Sequence, residues 1–178
     1  MRILGIDPGS RVMGYGLITI NGTNETYENA GSIHLDTNAA HQKRLQTIYQ
    51  EVEALLDTYL PDACAVEMPV YGRNPQSMLK LGRAQAAAML PPLNRTIPVT
   101  EYTPKAVKKS VTGNGNASKQ QVAYMVCAML SLQTDALGLD ATDAIAVALC
   151  HAHRHTADAP QRHTDWASFL RANPDRQG

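Results

Sequence analysis

The sequence predicts a single α/β domain built on a sheet of mixed strand direction, and two observations carry that prediction. The chain opens with three short β-type segments joined by tight-turn signals, and from about residue 40 helical and strand-like periods alternate. A meander pairs antiparallel, whereas strand–helix–strand alternation brings parallel strands together, so the combination gives a mixed sheet. The 178 residues are 44% hydrophobic but only 5% aromatic, enough for one domain with an aliphatic core.

The elements follow in chain order. Arg2 to Ile6 reads as a buried strand closed by the turn Asp7-Pro8-Gly9-Ser10. Met13 to Ile20 is a second strand, Asn21-Gly22 a hairpin signal, and Thr26 to Leu35 a third strand. Residues 40–59 set Leu45, Ile48, Val52, Leu55 and Leu56 at helical spacing, and Pro61 ends that helix. Ala63 to Val66 is a buried strand that runs into Glu67. Asn74-Pro75 opens the next helix with a cap and a first-turn proline. That helix is expected to stop near Leu90, because Pro91-Pro92 cannot continue it. Ile97 to Tyr102 is a fifth strand, and Thr103-Pro104 starts a short basic helix through Val111. Residues 113–116 form a glycine-rich loop, Ser118 with Gln121 is a capping box for another helix, and residues 140–153 form the last one. The domain is taken as residues 1–153, with a polar, loose tail over 154–178.

No apolar run reaches the roughly 20 residues of a membrane helix. The N-terminus is interrupted by Asp7 and Pro8 before a signal-peptide core can form. Cys64, Cys127 and Cys150 are odd in number and widely spaced, as in core residues of a reducing compartment. A cytoplasmic protein is therefore expected. Net charge is zero, but its distribution is uneven: residues 1–67 carry −5, residues 68–134 carry +7 and residues 135–178 carry −2. A basic middle beside acidic ends suits a DNA-facing surface next to a carboxylate metal site, or equally an uneven solvated surface.

Asp7 and Glu67 each follow a short apolar strand. Ligands gather beyond the carboxyl ends of strands in open α/β sheets, so neighbouring strands would bring the two together. Asp-Pro-Gly is also ordinary turn chemistry, whereas Glu has no comparable turn role and is costly to bury alone. Asp140 and Asp143, three apart, share one helix face. Helix capping accounts for Asp140 but less well for Asp143, which precedes the apolar run Ala144–Leu149. Four converging carboxylates would make an all-oxygen cage for Mg²⁺ or Mn²⁺, better suited to phosphodiester chemistry than a zinc site. Gly113-Asn-Gly-Asn-Ala-Ser-Lys119 offers exposed amides, a helix N-terminus and a charge for phosphate, or is simply a flexible loop. Lys105, Lys108 and Lys109 are placed for phosphate contacts or form an exposed helix face. His151, His153 and His155 read as a solvated helix end and not as metal ligands.

Taken in order, several segments resemble the RuvC crossover-junction endodeoxyribonucleases. They are Leu4-Gly-Ile-Asp7-Pro-Gly-Ser-Arg-Val-Met-Gly-Tyr-Gly, Val66-Glu67, Asn74-Pro-Gln-Ser-Met-Leu-Lys-Leu-Gly-Arg-Ala-Gln85, Gly113-Asn-Gly-Asn-Ala-Ser-Lys119 and Asp140-Ala-Thr-Asp143-Ala. The resemblance covers about residues 2 to 153. It implies a ribonuclease H-like fold, a five-stranded mixed sheet flanked by helices. It further implies a homodimer that binds a four-way DNA junction and nicks two strands of like polarity symmetrically, in recombination and DNA repair. By position, Asp7, Glu67, Asp140 and Asp143 correspond to the acidic tetrad that binds two Mg²⁺ (or Mn²⁺) ions, and Lys108 and Lys119 to basic residues near the scissile phosphate. Hydrolysis would leave 5′-phosphate and 3′-hydroxyl ends, and a RuvA–RuvB branch-migration complex is the implied partner.

The expected DNA-contacting set is Val70, Tyr71, Arg73, Lys80, Arg83, Lys105, Lys109, Asn114 and Asn116. Val70 stands where the family commonly has a base-stacking Phe, and the adjacent Tyr71 offers an aromatic face. Three other readings stay open at this point: another ribonuclease H-like nuclease, a non-catalytic junction-binding module, and an ATPase with a similar Gly-Ile-Asp-x-Gly opening. The last needs two such domains, which 178 residues do not supply.

Overall fold

The computed structural model describes residues 1–69, 74–133 and 137–157. Val70, Tyr71 and Arg73, and the tail from 158 onward, lie outside the described residues. The described chain forms five strands and five helices: β1 (Arg2–Asp7), β2 (Val12–Asn21), β3 (Asn24–His34), α1 (His41–Tyr59), β4 (Ala63–Glu67), α2 (Pro75–Asn94), β5 (Val99–Tyr102), α3 (Pro104–Thr112), α4 (Lys119–Met129) and α5 (Leu139–Ala157).

The strands make one sheet in the order β3-β2-β1-β4-β5. β1–β2 and β2–β3 are antiparallel, whereas β1–β4 and β4–β5 are parallel, which is the mixed sheet expected. Gly22 takes a positive φ of 63° in the β2–β3 turn, a conformation that favours glycine.

The two faces of the sheet bury different layers. Leu4, Ile6, Leu17, Cys64 and Val66 pack with Ile48, Val52 and Leu56 of α1 and Ala84, Ala87 and Ala88 of α2. Ile3, Ile18, Ala65 and Tyr102 pack with Val107 and Val111 of α3, Val122 and Val126 of α4, and the run Ile145–Cys150 of α5. Side chains alternate along a strand, so Asp7 and Glu67, each following a residue of the α1/α2 layer, fall on the α5 side. All three cysteines are buried and unbridged. No described helix is long and apolar enough to cross a membrane.

Boundaries differ from expectation at several elements, among them β3, which opens at Asn24 and not at Thr26. β5 begins at Val99, two residues later than the apolar pattern suggested. α5 runs to Ala157, beyond residue 153. The largest difference is α2, which continues through Pro91 and Pro92 to Asn94. Each proline forfeits a hydrogen bond and crowds the preceding turn, a cost of about 3 kcal/mol in an exposed helix interior. Both rings are buried here, and α2 lies against α1. That burial offsets the cost, and the chain leaves the helix through a turn in which the Arg95 and Ile97 N–H groups both donate to the Pro92 carbonyl.

Candidate metal centre

The site forms where three elements end or begin at one edge of the sheet. Asp7 is the last residue of β1 and pairs with Gly14 of β2. Glu67 is the last residue of β4, one register step beyond the Ile6–Val66 pair and opposite Tyr102 of β5. Asp140 and Asp143 come from the first turns of α5.

Glycines let α5 reach them. A Cβ at Gly14 would stand 2.0 Å from the Asp140 carbonyl oxygen, one at Gly5 would stand 2.1 Å from the Ala144 carbonyl, and one at Gly16 would strike Ile145. The helix backbone therefore lies directly on β1 and β2, closer than any side chain would permit, and its first acidic residues arrive beside Asp7. Sequence reasoning passed over this, although the signal was present: glycines two apart in β2 with another in β1 form a smooth strip on one sheet face.

One carboxylate oxygen from each of Asp7, Asp140 and Asp143 lies within 4.8 Å of the others, all three residues being half-buried. Glu67 stands outside this closest trio but within its field. Burial, then the negative charges of Asp7 and Asp143, push the Glu67 carboxyl up to about 8, against the opposing pull of Lys119 and Lys108. Asp7 rises to about 6, first through burial and then through Asp143, with Lys119 opposing and Asp140 adding to the rise. Lys119 Nζ donates to Asp143 Oδ2 at 2.6 Å, and this bond holds the ammonium above its ordinary range. The arrangement is short of positive charge: four acids crowd together, with Lys119 tied to Asp143 and Lys108 within reach of Glu67. Its donors are all oxygens, the set that hard divalent cations prefer, so Mg²⁺ or Mn²⁺ fits the residues present.

The other expected residues are distributed around this cluster. Lys108 is half-buried on α3, near enough to act on Glu67. Lys105 and Lys109 are exposed, and the Lys105 stem lies under Gly115, where a Cβ would be 2.7 Å from its Cγ. Asn114 Oδ1 accepts from the Asn116 N–H at 3.0 Å, so that amide holds its own loop in shape. The Ser118–Gln121 capping box is complete and fixes the start of α4 at Lys119. Lys80 and Arg83 are exposed on α2, in the other layer.

The histidines are not the solvated helix end expected. His151 is buried, with Nδ1 2.9 Å from the Tyr102 hydroxyl. His153 lies 2.9 Å from Ser110 Oγ and 3.0 Å from Glu25. His155 is exposed and meets the His151 ring edge-on. The pair staples α5 to β3, α3 and β5, contacts with residues 43 or more positions away that no local pattern could show.

Comparison with known proteins identifies the family. Residues 3–151 match the family model described as crossover junction endodeoxyribonuclease RuvC. A protein of that name from Salinibacter ruber is 55% identical over 176 residues, covering 99% of this chain and 98% of the relative. One from Cytophaga hutchinsonii is 47% identical, covering 98% of this chain and 86% of the relative. Among solved structures, Thermus thermophilus RuvC in complex with Holliday junction substrate is similar with a TM-score of 0.82 at 29% identity, over 88% of this chain and 96% of that one.

Proposed function

The chain belongs to the RuvC family of crossover junction endodeoxyribonucleases, and on that premise we propose that it works as a homodimer whose Asp7, Glu67, Asp140 and Asp143 hold two Mg²⁺ ions per site while two strands of like polarity are nicked symmetrically. Its activity is the endonucleolytic resolution of Holliday junctions, in DNA recombination and repair. The observation that carries the site assignment is the convergence of Asp7, Asp140 and Asp143 within 4.8 Å, with Lys119 on Asp143.

The chain's own groups divide the work. The three aspartates supply the negative oxygens of the cage, and Glu67, pushed up to about 8, carries a proton at neutral pH until a cation replaces it. A divalent ion held by these residues would supply Lewis-acid chemistry toward the phosphoryl oxygen and the attacking water. Lys119, already tied to Asp143, and Lys108, beside Glu67, bring positive charge to the edge where the scissile phosphate would sit. Lys105, Lys109, Asn114 and Asn116 extend that edge along α3 and its loop, and Lys80 and Arg83 lie on α2. Val70, Tyr71 and Arg73 belong to the segment between Glu67 and α2, where an aromatic face could stack on an unpaired base.

The proposed dimer face is α2. Leu79, Leu90 and Leu93 are about half exposed, and with Gly82 and Ala86 they fall at helical spacing. A groove of about 500 Å³ along this face is lined by Pro75, Met78, Leu79, Gly82, Arg83 and Ala86. The family's RuvA–RuvB branch-migration complex is the proposed delivering partner. The decisive experiment is cleavage of a labelled four-way junction beside a linear duplex of the same sequence, with Mg²⁺ and with EDTA. Symmetric nicks in the junction alone, abolished by EDTA, are expected. Nicking of both substrates alike would refute junction selectivity.

A further inference from the structure

We infer that the N-terminal end of α1 and the facing turns of α2 form a second phosphate site, in which His41, Arg44, Lys80 and Arg83 hold a junction phosphate other than the one being cut. The inference rests on the resolvase reading, because it assigns a further part of the same DNA footprint. His41 and Arg44 lie outside the set of contacts expected from the sequence.

The observations are local and concordant. α1 begins after Ala40 with no side-chain cap and no acid in its first turn. Among the described residues, both ring nitrogens of His41 and the Nε of Arg44 are shielded from solvent and have no hydrogen-bond partner. Burial first, and then Arg44, Arg83 and Lys80, hold the His41 imidazole below its ordinary range, so all three cations bear on this ring. Arg83 also lines the groove between α1 and α2 with Leu45 and Gln46. Among the described residues none of Arg44, Lys80 and Arg83 forms an ion pair with a carboxylate. Polar groups shielded without partners are costly, and cations gathered without acids repel. A phosphodiester set against Arg44, Lys80 and Arg83 relieves the repulsion, with one negative charge and two free acceptor oxygens.

Position makes the anion a DNA phosphate. Arg44 Nη1 donates to the Ser10 carbonyl at 2.9 Å, and the Leu35 N–H donates to the Arg11 carbonyl at 2.8 Å. The first ties the start of α1 to the turn that follows Asp7, and the second ties the end of β3 to it. The cluster therefore sits at the same end of the sheet as the carboxylates, but in the α1/α2 layer instead of the α5 layer. DNA crossing the sheet's end meets the cutting site on one side and this cluster on the other.

The test uses Lys80→Gln/Arg83→Gln, two exposed positions whose loss leaves the core intact, with His41→Gln as a second variant. Junction affinity is measured against salt concentration with EDTA present. Then single methylphosphonates, which remove one phosphate charge, are scanned along the junction. Expected for the double variant are about tenfold weaker binding and a log–log salt slope shallower by about one to two. In the scan, one non-scissile phosphate should matter to wild type and no longer matter to either variant. An unchanged slope with an unchanged scan would overturn the second site alone. A wild-type protein with no affinity for junctions would overturn the resolvase reading and this inference with it.

Discussion

A single side chain, Asp7, carries the tension of the site. It is half-buried, next to two more aspartates, with a carboxyl raised to about 6 from an ordinary 3.8. A raised acid holds its proton longer in the folded state than in the unfolded one. Over that window the native protein binds more protons, so its metal-free stability falls as pH rises from about 4 to about 6, and for Glu67 from about 4.5 to about 8. Asp7→Asn removes the charge and should stabilise the metal-free protein above pH 6 by about 1–2 kcal/mol, or about 2–8 °C in Tm. The melting-point gap between variant and wild type should grow between pH 4 and pH 6.5 with EDTA present; a gap that ignores pH would mean an ordinary, solvated Asp7. The same variant should bind junctions within a few-fold of wild type and cut none, and loss of binding together with cutting would make Asp7 a structural residue. Lys119→Ala should slow cutting by about 10²–10³-fold, more than it weakens binding, as expected for a positioned charge. Equal losses in the two assays would make it a binding residue only.

One element, α5, decides whether the acids meet. Its backbone rests on Gly5, Gly14 and Gly16, so a methyl group at Gly14 would have to displace the helix start. Gly14→Ala should cost about 1–3 kcal/mol in stability by overpacking. It should also weaken Mg²⁺ binding at least tenfold, because the displaced turn carries Asp140. Thermal unfolding and Mg²⁺ titration would check both, and a variant with normal metal affinity would show that the contact is not needed to place the acids. Most elements were legible before the structure: the apolar strand runs, the Asn74-Pro75 and Thr103-Pro104 starts and the Ser118–Gln121 box are local signals, and all three helices start as read. The passage of α2 through Pro91-Pro92 was not legible, because the burial that offsets two lost hydrogen bonds comes from outside the helix. The His151 contact failed for the same reason, since its partner Tyr102 lies on another element. Asp140 and Asp143 could be put on one helix face from spacing alone, but their distance to Asp7 depends on glycines whose meaning appears only when the helix lands on them.

For the whole molecule the question is how one cutting site becomes two. A four-way junction has four strands in two pairs of like polarity, and symmetric nicking of one pair needs two sites related by a twofold axis. Each chain carries a single carboxylate cluster among its described residues, so under the proposed paired nicking a second copy would bring the other. The face available for that is α2, whose Leu79, Leu90 and Leu93 are 56%, 49% and 49% exposed. An isologous contact through α2 would place the two carboxylate clusters on either side of the axis. It would also put both copies of the α1/α2 basic cluster near the centre, where junction arms converge. Leu79→Glu/Leu90→Glu adds like charges to each side of that contact, so it should convert the protein to monomers in sedimentation at micromolar concentration. Both positions are exposed, and the monomer should keep its fold by circular dichroism. On a junction held in a circular plasmid, the monomer should release nicked circles from cuts on one strand, where wild type releases linear products from paired cuts. A variant that stays dimeric and still makes paired cuts would move the interface off α2. A monomer that still pairs its cuts would show that two independent encounters suffice, and the twofold argument would fail.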